Sequence, residues 1–82
     1  MFAQSVKISS FSEAMKFVDI TTKYDGISMR LKVDDYEVDA HSIVGVLSIV
    51  DGDKNAVFTA NLPENDTALL NDIKPFLPTV QA

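Results

Sequence analysis

The 82-residue sequence contains no cysteine, which excludes disulfides, thiol nucleophiles and thiolate metal sites. Its first residues lack the basic segment followed by a long apolar run that is typical of a secretory signal. The longest apolar run, from Ile43 to Val50, is far shorter than the roughly 20 residues of a membrane helix. Since neither a secretory signal nor a membrane helix is indicated, we expect a cytoplasmic protein that does not associate with a membrane. The absence of cysteine is compatible with such a reducing compartment.

Glycine and histidine are also scarce, and this removes several catalytic possibilities. The three glycines are spread along the chain, so neither common type of glycine-rich phosphate loop is present. His41 is the only histidine, which excludes histidine-rich metal sites and histidine relay dyads. The carboxylate pairs Asp34-Asp35 and Asp51/Asp53 lack the spacing of a calcium loop and are interpreted as solvated turn charges. The sequence therefore predicts no catalytic residue, no metal ion and no cofactor, and we do not expect an enzyme.

Basic residues are outnumbered, with 7 Lys and Arg against 12 Asp and Glu and a formal net charge of −5. This charge opposes attraction to a phosphate backbone, so nucleic acid is not an expected partner. The 46% hydrophobic and 23% charged composition is ordinary for a globular protein. A chain of this length supports only one core, and no linker or repeat divides it. Residues 1–82 are predicted to form a single domain.

Strands are predicted where apolar and polar residues alternate. The clearest case is residues 27–33, in which Ser, Arg and Lys occupy the positions that face solvent. Its core-facing residues are Ile27, Met29, Leu31 and Val33. Residues 4–9, 36–40 and 56–62 are the other predicted strands, and Asp34-Asp35 forms the tight turn of a hairpin.

Helices are predicted from capping residues and helical spacing. Ser10 to Glu13 fits an S-x-x-E capping box, so a first helix begins there and ends near Gly26. Ser42 is a preferred N-cap residue for a second helix that reaches Ile49. A third helix follows Glu64-Asn65-Asp66, and Pro75 weakens its last turn. The residues of this third helix that are predicted to face inward are Leu69, Leu70, Ile73 and Leu77.

The predicted element order is β-α-β-β-α-β-α, with a turn over residues 51–55. Strands with one wet face and three amphipathic helices favour a two-layer arrangement. The expected fold is therefore α+β, an open-faced sandwich of a four-stranded antiparallel sheet with three helices on one face.

The second predicted helix carries apolar residues too far around its surface to bury them all against one sheet. Some of them must be exposed, and an exposed apolar patch on a small protein marks a contact site.

His41 beside Ser42 also places a base next to a hydroxyl, but adjacency supplies neither the geometry nor the third group of a nucleophilic pair. We interpret His41 as a partly exposed residue at the start of a helix.

Several segments of the sequence resemble HPr, the phosphocarrier of the bacterial sugar phosphotransferase system. They are Lys23-Tyr24-Asp25, the hairpin after Val33, the S-I-V-G-V-L-S-I run from Ser42 to Ile49, and Glu64-Asn65-Asp66. The run from Ser42 is similar to the regulatory K-S-I-M-G-V-M-S-L segment of HPr from low-GC Gram-positive bacteria. The resemblance covers nearly the whole chain and implies the HPr fold.

One departure from HPr concerns its chemistry. HPr carries a phosphorylated histidine in a G-[IL]-H-x-R-P-A motif between the first strand and the first helix. This chain is shorter there, and residues 9–14 read S-S-F-S-E-A, without histidine, arginine or proline. Because no imidazole accepts the phosphoryl group and no basic group balances its charge, the phosphocarrier activity is not expected.

The resemblance instead implies a regulatory site. Ser42 corresponds to the serine that HPr kinase/phosphorylase modifies, and Ile43, Val44 and Leu47 correspond to apolar residues that HPr offers to its partners. Val46 and Ile49 are expected to fill the core. Catabolite-repression HPr shows the same combination of a lost histidine and a retained serine. His41 replaces the usual lysine or arginine beside the serine, which affects recognition by the kinase or by a catabolite-control repressor.

Three functional hypotheses follow. The first is a regulatory protein-protein interaction module of carbon catabolite control with Ser42 as a phosphorylation switch and with Ile43, Val44, Leu47 and His41 as partner contacts. The second is an active phosphocarrier of the phosphotransferase system that uses His41. The third is a diverged module with an unrelated role. The expected partners are proteins: HPr kinase/phosphorylase, a catabolite-control repressor or phosphotransferase components.

Overall fold

The computed structural model describes residues 1–50 and 55–77. Its strands are β1 (Phe2–Val6), β2 (Met29–Val33), β3 (Tyr36–Asp39) and β4 (Ala56–Ala60), and its helices are α1 (Phe11–Thr22), α2 (Ile43–Ser48) and α3 (Thr67–Ile73), followed by a 3₁₀ helix (Lys74–Phe76). The four strands form one antiparallel sheet in the order β1-β4-β2-β3. The predicted fold class and element order are confirmed. Of the turn predicted over residues 51–55, residues 51–54 lie outside the described part of the chain.

The helices cover one face of the sheet, and the other face is open. The side chains of Phe2, Val6, Met29 and Leu31 are buried, whereas the alternating Arg30 and Lys32 are exposed. Because successive strand residues point to opposite faces, this pattern defines a single buried face. The predicted register of residues 27–33 is confirmed, although Ile27 precedes β2, and both Ile27 and Val33 are only half-buried.

Phenylalanine rings join the layers of the core. The ring centroids of Phe17 on α1 and Phe58 on β4 lie 5.2 Å apart at 85°, and those of Phe17 and Phe76 lie 5.2 Å apart at 88°. The ring of Phe2 meets that of Phe58 at 6.1 Å. Edge-to-face pairs of this kind are favourable beyond the area that they bury. They tie α1, the sheet and the 3₁₀ helix into one core.

The start of α1 agrees with the capping-box prediction, and its end comes earlier than expected. The Ser10 hydroxyl accepts the Glu13 N–H at 3.2 Å, and Glu13 Oε1 accepts the N–H of Ser9 at 2.7 Å, one residue before the usual partner. The helix ends at Thr22, and turns continue to Gly26, whose φ of +86° suits glycine.

The first strand was predicted over residues 4–9, and this placement is wrong. Phe2 pairs with Ala60 and Val6 with Ala56, so β1 begins two residues earlier. It ends at Val6 because the Lys7 N–H donates to the carbonyl of Phe76 at 2.7 Å, outside the sheet. Ile8 remains buried after the strand has ended.

Three further boundaries and one inward-facing residue also differ from the predictions. The strands β3 and β4 end at Asp39 and Ala60, and α2 ends at Ser48. Leu69 and Ile73 of α3 are fully buried, but Leu70 is 38% exposed and its predicted inward position is wrong. A 3₁₀ helix that contains Pro75 replaces the last turn of α3, as expected from the missing N–H.

Candidate functional site

Asp39, the last residue of β3, fixes the path of the chain into α2. Its Oδ1 accepts the backbone N–H of His41 at 2.9 Å and lies 3.2 Å from His41 Nδ1. Its backbone carbonyl accepts the N–H of Ser42 at 3.1 Å. A side-chain oxygen that accepts an N–H two residues ahead is a common way to shape a turn before a helix. One residue therefore positions both His41 and Ser42.

Ala40, between Asp39 and His41, is held from two sides. Its N–H donates to the Met29 carbonyl of β2 at 3.0 Å. Its carbonyl accepts the hydroxyl of Thr21 on α1 at 2.8 Å in a buried setting, and the same hydroxyl lies 3.0 Å from the Val18 carbonyl. Thr21 is fully buried. The junction between β3 and α2 is thus anchored to both the sheet and α1.

Ser42 is the N-cap of α2, as the sequence predicts. Its Oγ accepts the N–H of Gly45 at 3.2 Å, and its carbonyl accepts the N–H of Val46 at 2.8 Å. The side chain is half-buried. The predicted location is confirmed, and a role in phosphorylation stays a prediction.

The apolar residues of α2 divide between core and surface. Val46 and Ile49 are buried, as predicted. Val44 is 74% exposed, whereas Ile43 and Leu47 are half-buried and pack against the core. The predicted contact patch therefore centres on Val44, with Ile43 and Leu47 at its base.

Gly45 lets α2 approach β3 closely. A Cβ added at Gly45 would lie 3.2 Å from the Val38 Cβ and 3.4 Å from the Asp39 carbonyl oxygen. The contact with Val38 is tighter than usual, so that residue would have to move by a few tenths of an ångström. The small residue therefore sets the spacing between the helix of the candidate site and the strand that leads into it.

Three exposed apolar or aromatic residues, in the helical layer and beside it, were not predicted from the sequence. Phe11 and Met15 on α1 are 63% and 44% exposed, and Tyr36 on β3 is 54% exposed. The Tyr36 hydroxyl lies 3.3 Å from Ser48 Oγ at the end of α2. A helical wheel would have found the α1 pair, because Phe11 and Met15 are four residues apart and lie off the buried positions Ala14 and Phe17.

His41 is the least exposed of the ionisable side chains at the junction. Its side chain is 27% exposed, against 55% for Asp39. It lines a cleft of about 490 Å³ with residues of the loop between α1 and β2. The other lining residues are Thr22, Asp25, Gly26, Ile27 and Ser28. His41 Nε2 is buried and has no hydrogen-bond partner within the described part of the chain.

Hydrogen bonding lowers the pKa of Asp39 below its ordinary value. The largest cause is the backbone N–H of His41, which burial partly opposes, and the His41 ring and Arg30 add smaller favourable contributions. Donors that stabilise the carboxylate favour its charged form. Asp39 thus retains its negative charge below the pH at which an ordinary aspartate is protonated.

Asp39→Asn is expected to lower the free energy of unfolding at pH 7 by about 0.5 to 1 kcal/mol, since more than half of the side chain is exposed. Because the pKa of Asp39 is lower in the folded state than in the unfolded state, its carboxylate stabilises the fold at pH values above the unfolded-state pKa. This stabilisation is lost as pH falls through the folded-state pKa. The difference between the two proteins should therefore shrink as pH falls below about 4, the ordinary pKa of an aspartate. Urea unfolding across this range measures it.

Asp35→Asn, in the exposed turn between β2 and β3, is the matched control for this change. It alters the net charge equally without touching the junction. A loss of stability as large as that of Asp39→Asn, with the same dependence on pH, would contradict the assignment to the Asp39 contacts.

Tyr24, within one of the segments that resemble HPr, has a structural role. Its hydroxyl donates to Asp72 Oδ2 of α3 at 2.6 Å, and Lys23 Nζ lies 3.9 Å from the other oxygen of the same carboxylate. Burial, followed by the contact with Asp72, raises the pKa of Tyr24 to about 12. The phenol therefore remains a neutral donor that links the end of α1 to α3.

Groups of three or more potential metal ligands are absent from residues 1–50 and 55–77. Within those same residues, no helix has the length and apolar character needed to cross a bilayer.

The fold and this junction define a class: an α+β open-faced sandwich in which an N-cap serine follows the third strand of the chain. Among solved structures, the chain is similar to HPr-C-His from Thermoanaerobacter tengcongensis, with a TM-score of 0.70 and 22% identity over 90% of this chain and 92% of that chain. It is also similar to the phosphocarrier protein HPr from Bacillus anthracis strain Ames, with a TM-score of 0.69 and 19% identity over 90% and 94% of the two chains. The chain therefore has the HPr fold. No protein-family model matches the sequence, and no curated protein is significantly similar to it.

The connection between β1 and α1 carries the α1 cap and no imidazole. It comprises residues 7–10, of which Ile8 is buried and Ser9 and Ser10 are exposed. Ser9 and Ser10 are both engaged with Glu13, through the backbone N–H of Ser9 and the hydroxyl of Ser10.

Proposed function

We propose that this protein is a non-catalytic, HPr-like regulator that acts through protein contacts at the start of α2. The observation that carries the proposal is the arrangement around Ser42, in which an N-cap hydroxyl adjoins the 74% exposed Val44 on an HPr fold. Phosphorylation of Ser42 would place a negative charge two residues from the exposed Val44, so a partner that contacts the valine would also meet the new charge.

Phosphorylation of Ser42 is the proposed switch. A phosphoserine carries roughly −1.5 to −2 charges near neutral pH, so it would favour a basic partner and repel an acidic one. The neighbouring Asp39 is already anionic, and α2 has no charged residue. The charge added at Ser42 is therefore not balanced within α2, and a cation from the partner is expected to balance it.

His41 is poorly arranged to act as a phosphoryl carrier, which supports a regulatory role over an active phosphocarrier. Its Nδ1 faces the Asp39 carboxylate at 3.2 Å, and its Nε2 is buried. A phosphoryl group on Nδ1 would meet a negative charge, and one on Nε2 would have no room without movement of the ring. The proposed protein partners are an HPr kinase/phosphorylase and a catabolite-control repressor or phosphotransferase components.

Incubation with an HPr kinase and ATP is expected to add one phosphoryl group to the wild-type protein and none to Ser42→Ala, as measured by intact mass. Ser48→Ala removes the exposed serine at the last position of α2 and is the matched control. This variant should be labelled to the same extent as the wild type.

Equal labelling of the wild type and Ser42→Ala, or labelling of neither, would exclude Ser42 as the switch. A parallel incubation with enzyme I, phosphoenolpyruvate and Mg²⁺ is expected to give no acid-labile phosphohistidine. Its appearance on His41 would favour the phosphocarrier hypothesis instead.

A further inference from the structure

The strand β1 forms one edge of the sheet and carries none of the features that usually protect such an edge. Its five residues, F-A-Q-S-V, include no charged residue and no proline, and their pairing with β4 runs without a bulge. The strand at the opposite edge, β3, includes Glu37 and Asp39. Because the unpaired backbone groups of an edge can pair with another chain, proteins usually protect their edges with charge, proline or a bulge. The edge at β1 is therefore the one that is open to pairing.

The hydrogen bonds of β4 show which backbone groups of β1 point away from the sheet. The N–H of Asn61, one residue after β4, donates to the Ser28 carbonyl at 2.9 Å, on the side of β2. Because backbone groups alternate in direction along a strand, the even-numbered residues of β4 point toward β1. These residues pair with the even-numbered residues of β1. The N–H and C=O groups of Ala3 and Ser5 therefore point outward.

Lys7 marks the end of the open stretch. Its N–H points outward like those of the other odd-numbered residues, and it donates to the Phe76 carbonyl at 2.7 Å. Within the described part of the chain, no backbone hydrogen bond outside the sheet involves Ala3 or Ser5. The side chains of both residues are exposed. The edge thus presents two N–H donors and two C=O acceptors, on residues two positions apart.

This set of donors and acceptors is complementary to itself. A two-fold axis at Gln4 places Ala3 opposite Ser5 of a second, antiparallel copy, and Ser5 opposite Ala3 of that copy. Each of these two pairs can exchange both of its N–H···O=C bonds, so all four outward groups find a partner. Gln4 then faces Gln4 of the second copy, and the two side-chain amides can each donate and accept a hydrogen bond.

We propose that β1 is a self-association edge, through which two copies of this chain pair antiparallel and join their four-stranded sheets into one. The uncharged strand gives two copies with a formal charge of −5 each a place to approach without like charges in contact. The pairing uses both β1 edges and leaves the charged β3 strands at the two ends, so association stops at the dimer. A pair of five-residue strands buries less surface than the roughly 1,200 Å² of a stable interface, so the dimer is expected to be weak.

The dimer would leave the region around Ser42 accessible. The helix α2 packs against β3, where Gly45 lies close to Val38, and β3 is at the opposite edge of the sheet from β1. Two copies of the surface around Val44 would then lie at the two ends of the joined sheet. A role for this double display rests on the proposed function, whereas the pairing of β1 does not.

The experiment is sedimentation velocity of the full chain, together with hydrogen exchange by NMR, without partner or kinase. Between about 20 µM and 1 mM, the dimer fraction should rise at least threefold. Over the same range, the amides of Ala3 and Ser5 should exchange about two- to fourfold more slowly, and those of β3 should not change.

A protein that is monomeric throughout, or a dimer that does not slow exchange at Ala3 and Ser5, would overturn the proposal. Slow exchange at these amides that does not depend on concentration would mean that the edge is covered within the chain itself. Slowing only after addition of a different protein would mean that the edge accepts another partner. Both of these results would also overturn the proposal.

Two variants test the pairing directly, with urea unfolding as the check on the fold. Ser5→Pro removes an outward N–H, which an edge strand tolerates, and should abolish the dimer. Gln4→Lys keeps every backbone donor, places two like charges opposite each other at the axis, and should weaken association about three- to fivefold. Gln4 is only half-buried, so this variant keeps the proposal testable even where Ser5→Pro fails to fold.

Asp35→Asn, in the turn beside β3, is the matched control, because it changes the net charge by the same amount as Gln4→Lys. It should associate at least as strongly as the wild type. Wild-type association in Gln4→Lys or in folded Ser5→Pro would contradict pairing through β1. An equal weakening in Asp35→Asn would contradict it as well, since the effect would then follow net charge and not the edge.

Discussion

Phe17→Ala is expected to lower the free energy of unfolding by about 3 to 5 kcal/mol, as measured by urea unfolding at pH 7. Phe17 is fully buried, and its ring makes edge-to-face contacts with Phe58 and Phe76 at 5.2 Å each. The substitution removes the ring at the point where α1, β4 and the 3₁₀ helix meet, and the neighbouring elements cannot close the space without moving. Small domains are stable by only about 5 to 15 kcal/mol, so this loss takes a large share of the total.

Phe11→Ala is the matched control, since it makes the same chemical change on the same helix. Phe11 is 63% exposed, so its loss should change the free energy of unfolding by no more than about 0.5 kcal/mol. Similar losses for the two variants would show that the aromatic core is not centred on Phe17.

Phe11→Ala also indicates whether α1 takes part in partner binding, because it should leave the fold intact.

Local signals in the sequence predicted the elements better than their ends. The capping box at Ser10 and the N-cap at Ser42 depend on residues only three positions away, and both lie where expected. The alternation of residues 27–33 identified the buried face of β2, because alternation is also a local signal. These features require no knowledge of the rest of the chain.

The errors occur where a distant part of the chain decides the outcome. The placement of β1 depends on the pairing of Phe2 with Ala60, 58 positions away, and on the bond between Lys7 and the Phe76 carbonyl. Leu70 was predicted to face inward beside Leu69. Adjacent residues point about 100° apart on a helix, and α3 buries the side that carries Leu69 and Ile73. Neither outcome can be read from local spacing.

In the candidate site, too, some features follow from local sequence and others depend on distant contacts. The position of Ser42 follows from N-cap preference, and the exposure of some apolar residue on α2 follows from their number. The choice of Val44 as the exposed one, with Ile43 and Leu47 packed against the core, depends on how α2 lies on β3. The contact between His41 and Asp39 depends on where the ring packs. Tertiary packing thus decides which of the predicted residues are exposed.

Thr21 connects this packing to the site. Its hydroxyl, on α1, donates to the carbonyl of Ala40, two residues before Ser42, at 2.8 Å. The contact spans 19 positions and is buried, and no motif in the sequence indicates it. A buried threonine on α1 therefore helps to hold the segment that presents Ser42.

Thr21→Val is expected to lower the free energy of unfolding by about 1 to 3 kcal/mol. Valine matches threonine in shape, so the loss comes from the buried Ala40 carbonyl, which is left without its hydroxyl donor, rather than from a cavity. Urea unfolding measures the loss. NMR should show its largest amide shifts at residues 39–42, because the freed carbonyl belongs to that segment.

Thr22→Val is the matched control on the next residue of the same helix. The hydroxyl of Thr22 is exposed and donates within α1, to the carbonyls of Val18 and Asp19 at 3.1 and 2.8 Å. Its loss exposes those carbonyls to water and should cost less than about 0.5 kcal/mol. Equal losses in the two variants would mean that the effect of Thr21→Val arises from helix propensity. A large loss for Thr21→Val without shifts at residues 39–42 would mean that Thr21 stabilises α1 but does not position Ser42.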